Sequence, residues 1–388
     1  MNNFVKQFLR NAEQSGTKRT LRGVVPISAR LCEIDGHEYL NFSSNNYLGL
    51  SDHPFLKQES IRWIEKYGVG ATASRLVSGT IEAYLELEDD IARWKGTEAA
   101  LIIGSGYMAN TGVIPALADR KSIIFADKLN HASLNAGCQL SGAKFVRYRH
   151  NDIGHLSELL DKYSDYTQKL IVVDTVFSMD GDIAQLAPIE NLAEKHQAML
   201  YFDDAHGTGV FGEKGQGLVG SHKAQIMMGT FSKAMGSYGA YIACSSEMKE
   251  YLVNRCGSFI YTTALPPAVC GAISAGVQLV QTHEFDSVRK KYLEKIKFVI
   301  SKFQQMGFDT GDTETGVIPV ILGDSSTVLE AAKFLKKCGV FVVAIRPPTV
   351  PAGTARLRFT VNASHTDEDI QQLLSAMDDL GKIVLSRL

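Results

Sequence analysis

Residues 199–209 read Met-Leu-Tyr-Phe-Asp-Asp-Ala-His-Gly-Thr-Gly, a short apolar run that ends directly in two carboxylates, a histidine and glycines. A short apolar run bounded by turn-forming residues is typical of a buried strand. Similar runs recur along the chain and are separated by helix-length amphipathic stretches; they are Ala99–Ile103, Ser122–Phe125, Lys144–Tyr148, Leu170–Val173, Met199–Phe202, Gln225–Met228 and Ala240–Ala243. This alternation predicts an α/β fold with a mostly parallel central sheet flanked by helices.

The sequence predicts one segment before the large domain that contains these runs and one segment after it. Residues 1–50 are expected to form a short helix and short strands around the turn at Ile34-Asp35-Gly36-His37. Residues 51–280 form the large α/β domain, and residues 281–388 a smaller α+β domain. The elements predicted in that last domain are helix Val288–Met306, strand Gly316–Leu322, helix Ser326–Gly339, strands Val340–Ile345 and Ala355–Val361, and helix Asp367–Leu385.

Composition excludes several classes of protein. The 388 residues are 45% apolar, and their 40 basic and 42 acidic residues are interspersed, so neither a nucleic-acid nor a membrane-surface partner is expected. The six cysteines show no CxxC pairing, which favours free thiols in a reducing compartment. The first 18 residues lack the apolar core of a signal peptide, and no apolar run is long enough to span a membrane. A soluble cytoplasmic protein is expected.

The first candidate site is Gly104-Ser105-Gly106-Tyr107, between a predicted strand and a predicted helix. Glycines allow the backbone to approach a phosphate, and a helix N-terminus supplies N–H donors. With Ala109 the segment also matches the glycine fingerprint of dinucleotide-binding proteins. Taken alone, it fits a phosphate cup, a nucleotide site or a plain tight turn equally well.

Three further polar positions follow predicted strands, at the edge of a doubly wound sheet where ligands bind. They are His131, the Asp203–Gly209 segment and Lys233. The acids and histidine of the second segment lack a third ligand at metal-binding spacing, so no metal is expected. Lys233 lies among small residues, with Thr230 three positions before it, which suits a buried lysine with a lowered pKa more than a surface charge.

Together these positions meet the requirements of pyridoxal 5'-phosphate (PLP). A glycine turn would hold the phosphate, Asp203 would pair with the protonated ring nitrogen, and Lys233 would form the Schiff base. A dinucleotide site would explain only the glycine turn and would leave the other positions without a role. The sequence therefore predicts PLP chemistry.

These residues resemble the α-oxoamine synthases, a family of PLP enzymes with fold type I, the aspartate aminotransferase-like fold. The resemblance covers essentially the whole chain. The segments that carry it are Asn41–Leu50, Ser178–Asp182, Asp203–Gly207, Thr230–Lys233 and Arg346–Pro351. The last segment, Arg-Pro-Pro-Thr-Val-Pro, resembles the corresponding segment of the family members that use L-alanine and a pimeloyl thioester in biotin synthesis. Relatives that use glycine have different residues around that arginine.

The resemblance implies roles for individual residues. Lys233, His131 and Asp203 would be catalytic: Lys233 carries the cofactor, His131 stacks on its ring, and Asp203 pairs with its nitrogen. The implied cofactor-binding residues are Gly106, Tyr107, His131, Ser178, Asp203, His206, Thr230, Lys233, Thr262 and Thr263. The implied substrate-binding residues are Arg22, Asn45, Arg346 and Thr349. Thr262 and Thr263 would reach the cofactor of a neighbouring subunit, so a homodimer with shared sites is implied.

The implied reaction is a decarboxylative condensation of L-alanine with a pimeloyl thioester, releasing carbon dioxide and free thiol. Two alternatives remain: a sister activity such as glycine C-acetyltransferase, and an aminotransferase of the same fold. Whether coenzyme A or acyl carrier protein carries the acyl group is left open by the sequence, as is the role of Ser74-Arg75.

Overall fold

The structure, a computed structural model, describes residues 3–14, 17–220 and 224–384. It divides into two compact units. The large unit comprises Asn45–Ser178 and Ile183–Lys291, and the small unit comprises Met1–Ser44, Met179–Asp182 and Tyr292–Leu388. Residues 1–44 thus fall in the same unit as residues 292–388.

The small unit begins with helix α1 (Asn3–Gln14) and strands β1 (Val25–Pro26), β2 (Leu31–Ile34) and β3 (His37–Asn41). β2 and β3 form an antiparallel hairpin. Its two-residue turn, Asp35-Gly36, has positive φ angles of 55° and 76°. Asp-Gly is favoured in such turns because both residues tolerate the left-handed conformation that the twist of a tight hairpin requires.

The large unit alternates helices and strands as predicted. Its helices are α2 (Pro54–Tyr67), α3 (Glu82–Lys95), α4 (Gly106–Leu117), α5 (Ala132–Leu140), α6 (Ile153–Lys162), α7 (Leu186–Lys195), α8 (Ser246–Arg255), α9 (Gly257–Ile260) and α10 (Pro267–Val280). Its strands are β4 (Ala99–Ile103), β5 (Ile123–Asp127), β6 (Lys144–Tyr148), β7 (Lys169–Asp174), β8 (Met199–Asp203), β9 (Ile226–Thr230) and β10 (Ala240–Cys244). The predicted runs match all seven strands to within about two residues.

These strands form one sheet in the order β4-β10-β9-β8-β7-β5-β6. Strand β10 is antiparallel to both neighbours, and the pairs from β9 through β6 are parallel. Residues of the central strands are buried on both faces, which explains why they appear in sequence as continuous apolar runs rather than as alternating ones. The prediction of a mostly parallel central sheet is confirmed.

Helix α11 (His283–Gln305) begins in the large unit and ends in the small one. The small unit continues with β11 (Val317–Gly323), α12 (Ser325–Lys337), β12 (Val340–Phe341), β13 (Val343–Ile345), β14 (Ala355–Thr360) and α13 (Asp367–Val384). The single strand predicted at residues 340–345 is wrong: β12 pairs with β3, whereas β13 pairs with β14 in a different sheet. The apolar run does not reveal this change of sheet. Leu385, the predicted last residue of the final helix, lies outside the described residues.

Two further features bear on the sequence predictions. All six cysteines are free, and all but Cys338 are buried. None of the helices in the described residues combines the length and the apolarity that crossing a membrane requires.

Candidate active site

The candidate site lies at the carboxyl ends of the parallel strands of the large unit. Strands β5, β7, β8 and β9 are parallel neighbours that end at Asp127, Asp174, Asp203 and Thr230. Because these ends share one edge of the sheet, residues distant in sequence meet there. This edge is where the sequence places its candidate residues.

Asp203 is buried at 3% exposure and is held by two donors. Its Oδ1 accepts a hydrogen bond from the backbone N–H of Ala205 at 3.0 Å. Its Oδ2 accepts from Nδ2 of Asn110, on α4, at 2.8 Å. Hydrogen bonds of this kind stabilise the charged form of a carboxylate, which is the form that can hold a protonated ring nitrogen.

His131 caps the N-terminus of α5. Its Nδ1 lies 2.6 Å from Oγ and 3.3 Å from N of Ser133, and the backbone N–H of His131 donates to Oδ2 of Asp174 at 2.6 Å. Burial of the ring lowers the pKa of His131; the charge of Asp203 opposes that effect and the charge of Lys233 adds to it. The residue nevertheless retains an exposed face. His131 is thus fixed on one side and open on another.

Lys233 is half-buried in the turn that follows β9. The N–H of Gly236 donates to the carbonyl of Lys233 at 3.0 Å and closes the turn. Gly236 has φ of 65°, and a Cβ there would come within 2.4 Å of the backbone of Leu50 and Ser51, so glycine is required. The charge of Lys233 lowers the pKa of both His131 and Asp174, so it is electrostatically coupled to both groups.

The segment predicted to hold a phosphate forms the N-terminus of α4. Ser105 caps the helix by accepting from the N–H of Met108 at 3.2 Å. Gly106 needs neither a positive φ nor its lack of a side chain for packing, because a Cβ there would meet nothing nearer than 3.7 Å. Space therefore remains beside the first N–H groups of α4, which have no acceptor within the helix.

Thr230, the other predicted phosphate ligand, is buried and donates its hydroxyl to the carbonyl of Gly239 at 2.8 Å. It also accepts from the N–H of Ser232 at 3.2 Å and lies 2.8 Å from the hydroxyl of that residue. Its hydroxyl proton is therefore engaged by the protein, whereas Ser232 is exposed. Thr230 holds the turn that carries both Ser232 and Lys233.

His206, one of the residues predicted near the ring hydroxyl, forms a second cluster with Tyr47 and Asn45 in the large unit. Nδ1 of buried His206 lies 2.6 Å from the hydroxyl of Tyr47, which also reaches Oδ1 of Asn45 at 3.3 Å. Ser178 is half-buried at the boundary of the unit. Thr262 is half-buried, and Thr263 is exposed and pairs with Ser74 as an isolated bridge.

The three remaining predicted residues belong to the small unit. Arg346 follows β13 directly and is half-buried; its carbonyl accepts from the N–H of Thr349 at 3.1 Å. Thr349 also accepts from Arg19 at 3.3 Å. Arg22 is exposed. The turn therefore brings Arg346 and Thr349 together.

Sequence reasoning missed four buried residues around the site: Asn110, Ser133, Asp174 and Tyr201. Asp174 had a readable signal, since it is a carboxylate directly after the apolar run at 170–173, the same pattern that identified Asp203. Burial raises the pKa of Asp174, and the charge of Asp203 raises it further. Asn110 and Ser133 lie within helices and carry no such local signal.

These residues fit PLP. A buried, doubly hydrogen-bonded carboxylate suits the pyridine nitrogen, and the space at Gly106 beside a helix N-terminus suits a phosphate. The charge of Lys233 contributes to lowering the pKa of His131, so the two side chains are electrostatically coupled. His131, with its exposed face, can pack against an aromatic ring.

Comparison with known proteins supports this interpretation. Residues 37–377 match the model of the family described as aminotransferase class I and II. The 8-amino-7-oxononanoate synthase of Trichlorobacter lovleyi is 46% identical over 382 residues, which are 97% of each chain. Serine palmitoyltransferase from S. paucimobilis with a bound PLP–myriocin aldimine is 29% identical, with a TM-score of 0.92, over 99% of this chain and 98% of that one.

A second solved structure extends the comparison. The 8-amino-7-oxononanoate synthase of Francisella tularensis is 27% identical, with a TM-score of 0.77, and the match covers 90% of this chain and 99% of that one. The sequence match to a synthase of this name is full length and far above the level at which fold alone is shared. The chain belongs to the aminotransferase class I and II family of PLP fold type I and, within it, to the group of the 8-amino-7-oxononanoate synthases.

Proposed function

We propose that this protein condenses L-alanine with a pimeloyl thioester to give 8-amino-7-oxononanoate, carbon dioxide and free thiol, a carbon–carbon bond-forming acyl transfer in biotin biosynthesis. The observation that carries the proposal is the 46% identity, over 97% of the chain, to a relative of that name. The residues at the carboxyl edge of the sheet supply the groups such a reaction needs.

When bound, PLP supplies an electron-accepting ring that stabilises negative charge on the α-carbon of the amino acid. Asp203, buried and held by Ala205 and Asn110, would keep the ring nitrogen protonated. Lys233 would hold the cofactor covalently, and its freed amine would then carry the α-proton of alanine. The N–H groups of Gly106 and Tyr107 would receive the phosphate, together with the hydroxyl-bearing turn at Thr230.

The His206 cluster would set the orientation of the ring. Tyr47 holds Nδ1 of His206 at 2.6 Å, which fixes the imidazole in the buried pocket. In this position His206, together with Ser178, would hydrogen-bond to the ring hydroxyl, while His131 would cover the face of the ring. These roles follow from the motifs that the chain shares with its family.

The family's motifs assign substrate recognition to four residues of this chain. Arg346 would bind the carboxylate of alanine, because a guanidinium group offers two parallel donors to two oxygens. Arg22, Thr349 and Asn45 would contact the acyl chain or the product. The acyl donor would be either pimeloyl-coenzyme A or pimeloyl-acyl carrier protein. The assay described below distinguishes these two donors.

The proposal includes a homodimer with shared sites, in the cytoplasm. Large apolar side chains are exposed near Thr263: Val77 is 80% exposed and Tyr261 86%. The bridge between Ser74 and Thr263 ties together the two segments that carry these side chains. A second copy covering this face would bring Thr262 and Thr263 to the cofactor of its partner. The free state of the six cysteines suits a reducing compartment.

The test is thiol release from pimeloyl-coenzyme A and from pimeloyl-acyl carrier protein, with L-alanine, glycine or L-serine as co-substrate. We expect release that requires L-alanine, is abolished in Lys233→Ala and is unchanged in Lys121→Ala, a matched loss of an exposed lysine. Mass determination of the dimer by light scattering accompanies the assay. Conversion of the cofactor to its amine form with alanine, without thiol release, would instead identify an aminotransferase.

A sister activity is the second candidate, because the chain shares its fold with serine palmitoyltransferase, at a TM-score of 0.92, and a fold does not fix the substrate. Backbone similarity reports shared fold and cofactor rather than substrate. Release that requires L-serine or glycine and another acyl thioester would favour this candidate and would leave the roles of Lys233 and Asp203 unchanged.

A further inference from the structure

A buried chain of hydrogen bonds connects Tyr201 to His131 in the large unit. Tyr201, on β8, donates its hydroxyl to Oδ1 of Asn110 at 2.7 Å. Nδ2 of Asn110 lies 2.8 Å from Oδ2 of Asp203 and 2.8 Å from Oγ of Ser133. Oγ of Ser133 lies 2.6 Å from Nδ1 of His131. Tyr201, Asn110 and Ser133 are at most 1% exposed, so these three members of the chain are shielded from solvent.

The orientation of the Asn110 amide is fixed by the carboxylate of Asp203 and is compatible with a donating Tyr201. A carboxylate only accepts hydrogen bonds, so the group facing Asp203 must be the NH₂ of Asn110. On the other side, burial raises the pKa of Tyr201, and the charge of Asp203 raises it further, so the phenol remains a donor to Oδ1 of Asn110. Turning the amide over would set two acceptors against each other at Asp203 and would require the phenol of Tyr201 to accept rather than donate.

This orientation determines the direction of the next hydrogen bond. The NH₂ of Asn110 uses one hydrogen for Asp203 and the other for Ser133, so Oγ of Ser133 is an acceptor there. The proton of the Ser133 hydroxyl is then available to Nδ1 of His131, 2.6 Å away. The backbone N–H of Ser133 also points to that atom, at 3.3 Å. Nδ1 therefore receives two donors and must be unprotonated, and a neutral imidazole then carries its proton on Nε2.

We propose that Asn110 and Ser133 are positioning residues that hold His131 as the neutral tautomer protonated on Nε2, so that its ring offers a hydrogen-bond donor to an oxygen of the bound substrate. The substrate part of this inference rests on the proposed function. In this proposal, Nε2–H of His131 donates a hydrogen bond to a substrate oxygen. Lys233 removes the proton from the α-carbon.

The shared amide also couples the two ends of the site. The same NH₂ group holds Oδ2 of Asp203 and orders the hydroxyl of Ser133. A change that turns the Asn110 amide would therefore disturb both the partner of the ring nitrogen and the tautomer of His131. Neither effect is expected from a residue that merely fills space in α4.

The test is the nitrogen-15 spectrum of protein labelled in its histidine side chains, recorded with and without PLP. The resonance of His131 is assigned by its absence in His131→Gln. In the unchanged protein, we expect one unprotonated Nδ1 and one protonated Nε2. Ser133→Ala removes the hydroxyl donor and should yield a mixture of tautomers. Ser141→Ala, at the other end of α5, removes a hydroxyl that donates to Cys138 and should leave the spectrum of His131 unchanged.

Asn110→Leu provides a second variant, and its effect on the His131 tautomer should equal that of Ser133→Ala, with no further change in the double variant. In Ser133→Ala, kcat should fall about tenfold, while KM for L-alanine changes less. A proton on Nδ1 in the unchanged protein, or an unaltered tautomer in Ser133→Ala, would overturn the inference. Absence of thiol release from the unchanged protein would remove the proposed function alone, because the spectra do not depend on turnover.

Discussion

Asp174 and Asp203 occupy paired positions at the ends of the adjacent parallel strands β7 and β8. Both are buried, yet their surroundings differ. Asp203 accepts hydrogen bonds on both oxygens, from Ala205 and Asn110. Burial, the first cause, raises the pKa of Asp174 well above its usual range, and the neighbouring charge of Asp203 acts in the same direction. A second negative charge beside Asp203 is costly, so the neutral form is favoured on Asp174.

This asymmetry predicts different outcomes for two equivalent substitutions. Asp203→Asn removes the charge that would hold the ring nitrogen, so kcat should fall by about 10²-fold or more. Asp174→Asn keeps a neutral group with an oxygen for the N–H of His131, so kcat should stay within about tenfold of the unchanged enzyme. Steady-state thiol release measures both. An equal loss in the two variants would contradict the assignment of the neutral form to Asp174.

A buried ion pair supports the segment after β8. Nζ of Lys95 lies 3.8 Å from Oδ2 of Asp204, both side chains are fully buried, and Oδ1 of Asp204 accepts from Thr175 at 2.6 Å. Lys95→Met would leave the charge of Asp204 without its partner, so we expect a loss of about 3–5 kcal/mol in stability. Adding Asp204→Asn to Lys95→Met should restore part of the lost stability, because it removes the unpaired charge. Lys121→Met, at an exposed position, should change stability by less than about 0.5 kcal/mol.

The same pair predicts a pH dependence. Burial raises the pKa of Asp204 to about 6, and the charge of Lys95 opposes that shift. Because the folded-state pKa lies above the unfolded value, this carboxyl favours folding at low pH, and the benefit is lost as pH rises through about 6. Without Lys95 the pKa should rise further. The thermal midpoint of Lys95→Met should therefore fall more steeply between pH 6 and 8 than that of the unchanged protein; parallel curves would refute this.

Tyr47 offers a test of the His206 cluster. Tyr47→Phe deletes the 2.6 Å contact with Nδ1 of His206 and leaves the ring in place to fill its volume. A lost hydrogen bond of this kind costs about 1 kcal/mol, so the dissociation constant for PLP should rise about fivefold. Titration of cofactor-free protein with PLP measures it. Tyr166→Phe serves as the matched control. An unchanged affinity for PLP in Tyr47→Phe would contradict a role of His206 in binding the cofactor.

Features of this fold that depend on local sequence patterns could be predicted, whereas features that depend on contacts between distant residues could not. The seven strands of the large sheet were predicted because two-sided burial makes each one a short apolar run. Asp203 and Lys233 were found because parallel strands bring the residues at their carboxyl ends to one edge of the sheet. The switch between β12 and β13 was missed, since Val340–Ile345 is a continuous apolar run whose partners lie far away in sequence.

The hydrogen-bond network was beyond prediction for the same reason. Asn110 meets Ser133 and Asp203 at separations of 23 and 93 residues, and nothing near it in sequence marks it. A polar residue on a helix between glycine and apolar positions fits a buried and an exposed face equally well. Only the packing of α4 against α5 and the strand ends selects the buried one.

The small unit contains a histidine whose burial sets a pH dependence of stability. His365 is 1% exposed, its ring stacks on Phe42 at 4.1 Å, and its Nδ1 accepts from the N–H of Asn362 at 3.0 Å. Burial, the largest cause, lowers the pKa of His365 to about 4 from a usual value of 6.5. Between these two pKa values, His365 is protonated in the unfolded chain but not in the folded chain. The free energy of unfolding therefore declines as pH falls below about 6.5, and the loss is complete near pH 4. The full difference is about 3 kcal/mol.

His365→Phe keeps a ring stacked on Phe42 but cannot be protonated, and it leaves the N–H of Asn362 without its acceptor. The thermal midpoint at pH 7.5 should therefore fall, whereas the further decline between pH 7.5 and pH 5 should be smaller than in the unchanged protein. His283→Gln removes an exposed histidine and should reproduce the pH profile of the unchanged protein. If His365→Phe loses as much stability on acidification as the other two, proton exclusion at His365 does not govern the acid sensitivity of the fold.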